Sequence, residues 1–250
     1  IMQDAVKGIL PDNSIQLVQK NERFIVTQLI TANDYVDVVV PRGGKGLIQH
    51  VVQNATVPVI ETGAGNCHLY IDKDADLKKA IDISVNAKIQ RPSVCNAIET
   101  ILVHKDIAAI YLPAMVEAFD GRVEIRGDQM TQKIITCSLA TDEDYATEYD
   151  DYIVAIKVVD SIEEAINHIY QYSTKHSEAI ITENQDSANL FMNSLDSACV
   201  YHNASTRFSD GGEFGFGAEL GISTQKLHAR GPLALIEMTS FPVSYTHLRA

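Results

Sequence analysis

No segment of the 250-residue sequence approaches the roughly 20 consecutive apolar residues of a membrane helix, so a membrane partner is not expected. Positive charge is in deficit: 20 Lys and Arg stand against 33 Asp and Glu, a net charge of −13. That field repels phosphate backbones over the whole surface and excludes nucleic acid as an expected partner. A small anionic substrate is still admissible, because local backbone amides and a few basic side chains can outweigh the global field. The four cysteines, Cys67, Cys95, Cys137 and Cys199, form no CxxC pair, and no cluster of histidines completes a metal site. Structural zinc is disfavoured and no metal is expected. Cysteine usage and the lack of a basic, then apolar leader point to a reducing, cytoplasmic setting. Ile1 opens the chain where an initiator Met would stand, which suggests that an upstream part, with any leader in it, is missing.

What is present is ordinary for a folded protein: 46% hydrophobic and 21% charged residues, in a length that allows one large domain or two moderate ones. Residues 2–10 read as the end of a helix, 14–18 as a short strand and 21–31 as a helix. The β-branched run 36–40 reads as a strand buried on both faces, as in a parallel sheet. Gly43, Gly44 and Gly46 then lead into a helix over 47–54, and 57–60 gives another buried strand. Further on, Asp74 caps a helix whose positions Leu77, Ala80, Ile81 and Val85 share one face, and Pro92 ends it. Strands are expected at 101–104, 123–126, 133–136, 153–159, 179–182 and 199–201, with helices at 106–119 and 186–195. Ser161 and Glu164 form a capping box for one more helix. This alternation implies an α/β protein of two units that meet near residues 85–95. Open α/β sheets bind ligands at the carboxyl ends of their strands, so chemistry is expected at that junction.

Cys95 stands in the segment QRPSVCN, past a helix end and before a strand, a placement that suits a nucleophile. A thiol with a pKa near ~8.5 is only a few per cent thiolate at neutral pH, so it needs a positive field or amide donors; Arg91 could help. The competing reading is a small buried core residue, which Cys67, Cys137 and Cys199 fit better. Glu61 follows the strand 57–60 and precedes TGAG, which would bring its carboxylate out at the carboxyl end of a sheet, as a general base or as a solvated loop carboxylate. The turn Gly43-Gly44-Lys45-Gly46 could offer amides to a phosphate, although glycine-rich turns after strands are common. Gly215-Phe216-Gly217 resembles the start of a dinucleotide loop, but no strand precedes it at the right distance and Gly221 comes one place late.

The segments PVIETGAGNCHLYIDKDADL, AKIQRPSVCNAIETILVH, VVDSIEEAINHIYQYSTKHSEAI and GGEFGFGAELGISTQKLHARGP together resemble the glutamate-5-semialdehyde dehydrogenase (γ-glutamyl phosphate reductase) family of the aldehyde dehydrogenase superfamily. The resemblance runs from about residue 1 to about residue 240, and the passage 159–180 has the spacing of this family in particular. It implies an aldehyde dehydrogenase-like α/β fold, two α/β units with parallel sheets and a catalytic cleft between them, carried by a carboxyl-terminal fragment. In that scheme residues 1–90 are the second part of an NADP-binding domain and 91–222 the catalytic thiol domain. Residues 223–241 are then a return and oligomerisation segment, and 242–250 a tail foreign to the family.

The implied reaction is the second step of proline biosynthesis, the NADPH-dependent reduction of L-glutamyl 5-phosphate through a thioester on Cys95. Glu61 matches the superfamily's catalytic glutamate, yet reduction of an acyl phosphate needs no attacking water. Arg42, Gly43, Gly44 and Glu148 match cofactor-binding positions, against the plainer reading of Glu148 as one carboxylate of the acidic run 142–151. Asn96, His168, Ser173 and His176 are the implied substrate-binding residues, although a helix histidine is as often structural. The implied partners are a small acyl phosphate channelled from glutamate 5-kinase and further copies of the chain. Two alternatives stay open: a phosphate-independent aldehyde dehydrogenase that oxidises a free aldehyde, and a non-catalytic fragment.

Overall fold

The computed structural model describes residues 1–213, 215 and 217–244. Phe216 of the glycine-rich turn and residues 245–250 of the expected tail lie outside the described residues.

The chain divides into two compact units, Ile1–Ile60 and Glu61–Ala250. The first holds helices α1 (Met2–Ala5), α2 (Arg23–Leu29) and α3 (Lys45–Asn54). The runs 36–40 and 57–60, expected as strands, are extended but meet only in one parallel bridge, Val39 with Val59. It is closed by hydrogen bonds from Val39 N to Pro58 O (2.8 Å) and from Ile60 N to Val39 O (2.9 Å). β-branched composition favours extended backbone, but a strand also needs neighbours to pair with. For the same reason residues 14–18 form no strand among the described residues.

The second unit runs β1 (Cys67–Ile71), α4 (Leu77–Ile89), β2 (Ile98–His104), α5 (Lys105–Phe119), β3 (Glu124–Gly127), α6 (Gln129–Gln132), β4 (Ser138–Leu139), α7 (Asp142–Tyr145), β5 (Ile153–Val159), α8 (Ile162–Tyr172), β6 (Ser177–Ile181), α9 (Gln185–Ser194) and β7 (Cys199–His202). The seven strands form one parallel sheet in the order β4-β3-β5-β2-β1-β6-β7. A short antiparallel pair, β8 (Gly221–Ser223) with β9 (Gly231–Leu233), follows. Thus β1 and α4, which the sequence pattern grouped with the amino-terminal part, belong to the sheet of the second unit. The strand expected at 133–136 is instead a continuation of helical turns, in which Thr131 O accepts from Ile134 N and Ile135 N at 2.9 Å each.

Every residue of β1 and β2 is buried, as a central parallel sheet covered on both faces requires. Alternation along β1 splits the core: Leu69 and Ile71 pack with Tyr111, Leu112 and Phe119 of α5, whereas Tyr70 packs with Ile166 and Ile169 of α8 and Phe191 of α9. The cap of α4 is Asp76, whose carboxylate accepts from Lys79 N at 2.8 Å. Asp74, the expected cap, instead accepts from Asn184 Nδ2 at 3.0 Å. Ser161 caps α8 by accepting from Glu164 N, while the Glu164 carboxylate reaches back to Asp160 N in place of Ser161 N. No helix among the described residues is long and apolar enough to cross a membrane.

Candidate active site

All four cysteines carry thiols and none is in a disulfide. Cys95 is half-buried on the connection between the end of α4 at Ile89 and the start of β2 at Ile98. In a parallel sheet this is the amino edge, where Cys67 opens β1, Ser177 opens β6 and Cys199 opens β7. Cys95 therefore lies at the opposite edge of this sheet from the carboxyl ends where ligands were expected. The loop that enters β2, and not one that leaves a strand, carries the candidate nucleophile.

This loop is fixed through its backbone. Gly65 lies so close that a Cβ there would sit 1.4 Å from Cys95 O, a contact only glycine permits. Gly65 N donates to Glu148 Oε1 at 2.6 Å, so Glu148 anchors the segment that supports the Cys95 carbonyl. Burial raises the Glu148 carboxyl above its ordinary value, against the pull of that hydrogen bond. Cys67 Sγ also donates to Cys95 O at 3.2 Å. Burial and then the Glu178 carboxylate push the Cys67 thiol well up, so it serves as a packed donor with no nucleophilic character.

Asn96, only 2% exposed, is held at three atoms. Its Oδ1 accepts from an Arg207 guanidinium nitrogen, its Nδ2 donates to Arg207 O at 3.3 Å, and its O accepts from Thr206 Oγ1 at 2.7 Å. His176 is fully buried, with Nδ1 3.7 Å from Cys67 Sγ and 2.9 Å from Ser177 Oγ. Ser177 Oγ continues to Ser209 Oγ at 2.7 Å, and Ser209 Oγ to Tyr201 OH at 2.9 Å. Burial lowers the His176 pKa to about 4, which keeps the ring neutral at pH 7.

The other expected residues lie in separate settings. Ser173 Oγ donates to Glu178 and accepts from Lys175 N at 2.7 Å; Glu178 also accepts from His68 N at 2.9 Å. His168 is packed among His68, Tyr145 and Tyr172 at ring distances of 5.5, 4.9 and 4.6 Å. Burial, with the neighbouring His68, lowers its pKa to about 2. His168 also lines an open cavity of about 500 Å³ with Asp128, Lys157 and Glu164, and Cys95 is not part of that lining. Glu61 is half-buried, and its N donates to Gln225 Oε1 at 3.0 Å. Arg91, considered as the helper of Cys95, is exposed.

Arg42, Gly43 and Gly44 belong to the first unit, immediately before α3. Gly43 has φ +148°, a conformation that favours glycine. No side chain caps α3, and a Cβ at Gly44 or Gly46 would meet nothing within 4 Å, so an anion can approach these amides closely. Gln90, at the carboxyl end of α4, and Thr206 and Arg207, in a 3-10 turn, were not singled out from the sequence, because a helix end and a short turn carry no periodic signal. Among the described residues no cluster of His, Cys, Asp and Glu could hold a metal ion.

Residues 1–152 match the model of the Aldehyde dehydrogenase family. The chain belongs to the aldehyde dehydrogenase family. One relative within it, the gamma-glutamyl phosphate reductase of Limosilactobacillus reuteri (strain DSM 20016), is 56% identical over 239 residues, covering 95% of this chain and 58% of that protein. The gamma-glutamyl phosphate reductase of Streptococcus suis (strain 05ZYH33) is 59% identical over 246 residues, covering 97% of this chain and 60% of that protein. The crystal structure of gamma-glutamyl phosphate reductase from Thermotoga maritima matches with a TM-score of 0.93 at 49% identity, covering 100% of this chain and 62% of that one. This aldehyde dehydrogenase-family chain therefore spans about 60% of the length of these relatives. Its parallel sheet and helices are the α/β fold of the family.

Proposed function

We propose that the whole protein reduces L-glutamyl 5-phosphate to L-glutamate 5-semialdehyde and phosphate with NADPH, through a thioester on Cys95, in proline biosynthesis. The observation that carries this reading is identity of 56% and 59% to two reductases of that name across nearly the whole chain. The setting of Cys95 supports it, with a half-buried thiol on a loop whose backbone is held from both sides.

In this mechanism the Cys95 thiolate attacks the γ-acyl carbon. The C–S bond forms as the acyl C–O bond breaks, and phosphate leaves with the electron pair. NADPH, when bound, supplies the hydride that reduces the thioester carbonyl. Cys95 then leaves as thiolate while the tetrahedral carbon collapses to the aldehyde. The Cys95 N–H and neighbouring loop amides stabilise the oxyanion. The open turn at Arg42, Gly43 and Gly44 would hold a cofactor phosphate, and the Glu148 carboxylate would accept from the hydroxyls of the nicotinamide ribose. Asn96, His168, Ser173 and His176 act in this proposal by shaping the substrate side, since their polar atoms are largely engaged with the protein or buried. Glu61 takes no part in the bond changes. Residues 1–90 serve the cofactor, 91–222 the thiol chemistry and 223–241 the assembly of a homo-oligomer. The protein works in the cytoplasm on an acyl phosphate handed on by glutamate 5-kinase.

The test is the reverse reaction, NADP reduction by glutamate semialdehyde, with and without phosphate, in the protein and in Cys95→Ala. Activity that requires both phosphate and Cys95 is expected. Activity that ignores phosphate would move the protein to the aldehyde-oxidising class, and activity kept by Cys95→Ala would remove the thiol from the mechanism.

A further inference from the structure

We infer that Arg207 is a positioning residue that sets the shape of the loop carrying Cys95, an inference that rests on the reading of Cys95 as nucleophile. The loop leaves α4 at Gln90 and rejoins the sheet after Asn96. Arg207 reaches it from a 3-10 turn, Thr206–Ser209, and holds both ends at once. Its Nε donates to Gln90 Oε1 at 3.1 Å, and another guanidinium nitrogen donates to Asn96 Oδ1. The same turn adds two more bonds: Arg207 O accepts from Asn96 Nδ2 at 3.3 Å, and the Thr206 hydroxyl donates to Asn96 O at 2.7 Å.

A guanidinium suits this task because its planar fork presents donors in fixed directions, whereas an ammonium is a single point. The Arg207 side chain is 8% exposed, and its charge faces Asp210 Oδ2 at 3.7 Å. Burying an arginine is costly unless its donors are used. Two of the bonds that offset the cost are to the ends of the Cys95 loop. Asn96 follows Cys95 directly, so a fixed Asn96 fixes the direction of the Cys95 thiol and of the adjoining amides.

The experiment is iodoacetamide alkylation of the full 250-residue chain without nucleotide, with the rate at each cysteine followed by mass spectrometry. Cys199 and Cys137, both half-buried, report on general loosening. Arg207→Gln is expected to slow Cys95 alkylation about tenfold relative to Cys199, as the loop loses the contacts that fix both of its ends and with them the direction of the thiol. Arg207→Lys, which can reach only one end of the loop, should fall between. Asn96→Ala should also slow Cys95, and the double variant should be slower than Asn96→Ala by less than the full effect of Arg207→Gln, because the two changes share the Arg207–Asn96 contact while only Arg207→Gln also removes the one to Gln90. Gln90 is exposed, so Gln90→Ala keeps the test decisive where Arg207→Gln does not fold; it should slow Cys95 severalfold. Unchanged or faster Cys95 alkylation in Gln90→Ala and Arg207→Gln, with Cys199 steady, overturns the inference alone. Cys95 reacting no faster than Cys199 in the native chain overturns the nucleophile reading and this inference with it.

Discussion

Gly65 has less freedom to change than any other residue near the thiol. A methyl group there would meet the Cys95 carbonyl oxygen at 1.4 Å, and backbone cannot swing aside as a side chain can. Gly65→Ala is therefore expected to cost about 3 kcal/mol, the upper part of the overpacking range, read as a lowered denaturation midpoint. A native midpoint would mean that the loop yields without strain. Glu148 supports the same point from the other side. Glu148→Ala strands the Gly65 N–H in a partly buried place and should cost about 1–3 kcal/mol, whereas Glu148→Gln keeps an acceptor and should cost less than about 1. Equal losses in a urea titration would show that packing, and not the hydrogen bond, is what matters. At this scale the sequence was informative about placement: Pro92 and the apolar run after it put Cys95 between a helix and a strand, where the fold has it. It was silent on Arg207, because the contacts with Gln90 and Asn96 join positions more than a hundred residues apart and leave no local pattern.

Between α4 and β2 lies a fully buried ion pair, Lys88 with Glu99, at 2.6 Å. Burial raises Glu99 to about 8 and lowers Lys88, so the sheet tolerates the pair only because each partner serves the other. Lys88→Met should destabilise the chain by about 3 kcal/mol by leaving Glu99 alone in the core. The sign of the pH effect follows from the raised carboxyl. Protonated Glu99 carries no charge to bury, so the deficit should be smaller at pH 6 than at pH 9. Urea titrations at the two pH values decide this, and a deficit that grows toward acid would contradict it. The elements themselves were legible to different degrees. β5 was read to its ends, because Ile153 to Val159 is a nearly unbroken β-branched run. β1 was missed, because Cys67 and His68 break the apolar pattern; in the fold both are fully buried beneath the Cys95 loop and against Glu178. Composition reports what a strand would prefer, and pairing decides which extended segments become one.

The two compact units differ in how much they bury. Among the described residues of Ile1–Ile60 only Ile30, Pro41, Val51 and Val57 are buried, whereas the second unit holds two cores on either face of a seven-stranded sheet. Local opening free energy follows buried apolar contact and hydrogen-bonded backbone, so resistance to opening should be uneven along the chain. Hydrogen exchange at neutral pH is expected to protect β1, β2, β5 and β6 most strongly. Amides of β2 should exchange only through global unfolding, since both neighbouring strands, β1 and β5, must leave to expose them. In residues 1–60 protection should be confined to α2, α3 and the pair around Val39 and Val59, and should be lower by several orders of magnitude in rate. The alternation of strand and helix in the sequence carried the fold class, but not this asymmetry. The runs 36–40 and 57–60 have the same apolar, β-branched character as the central strands, yet they close only one bridge. If the amides of 36–40 prove as slow to exchange as those of β2, that bridge understates the pairing, and the first unit is held by contacts of strand strength.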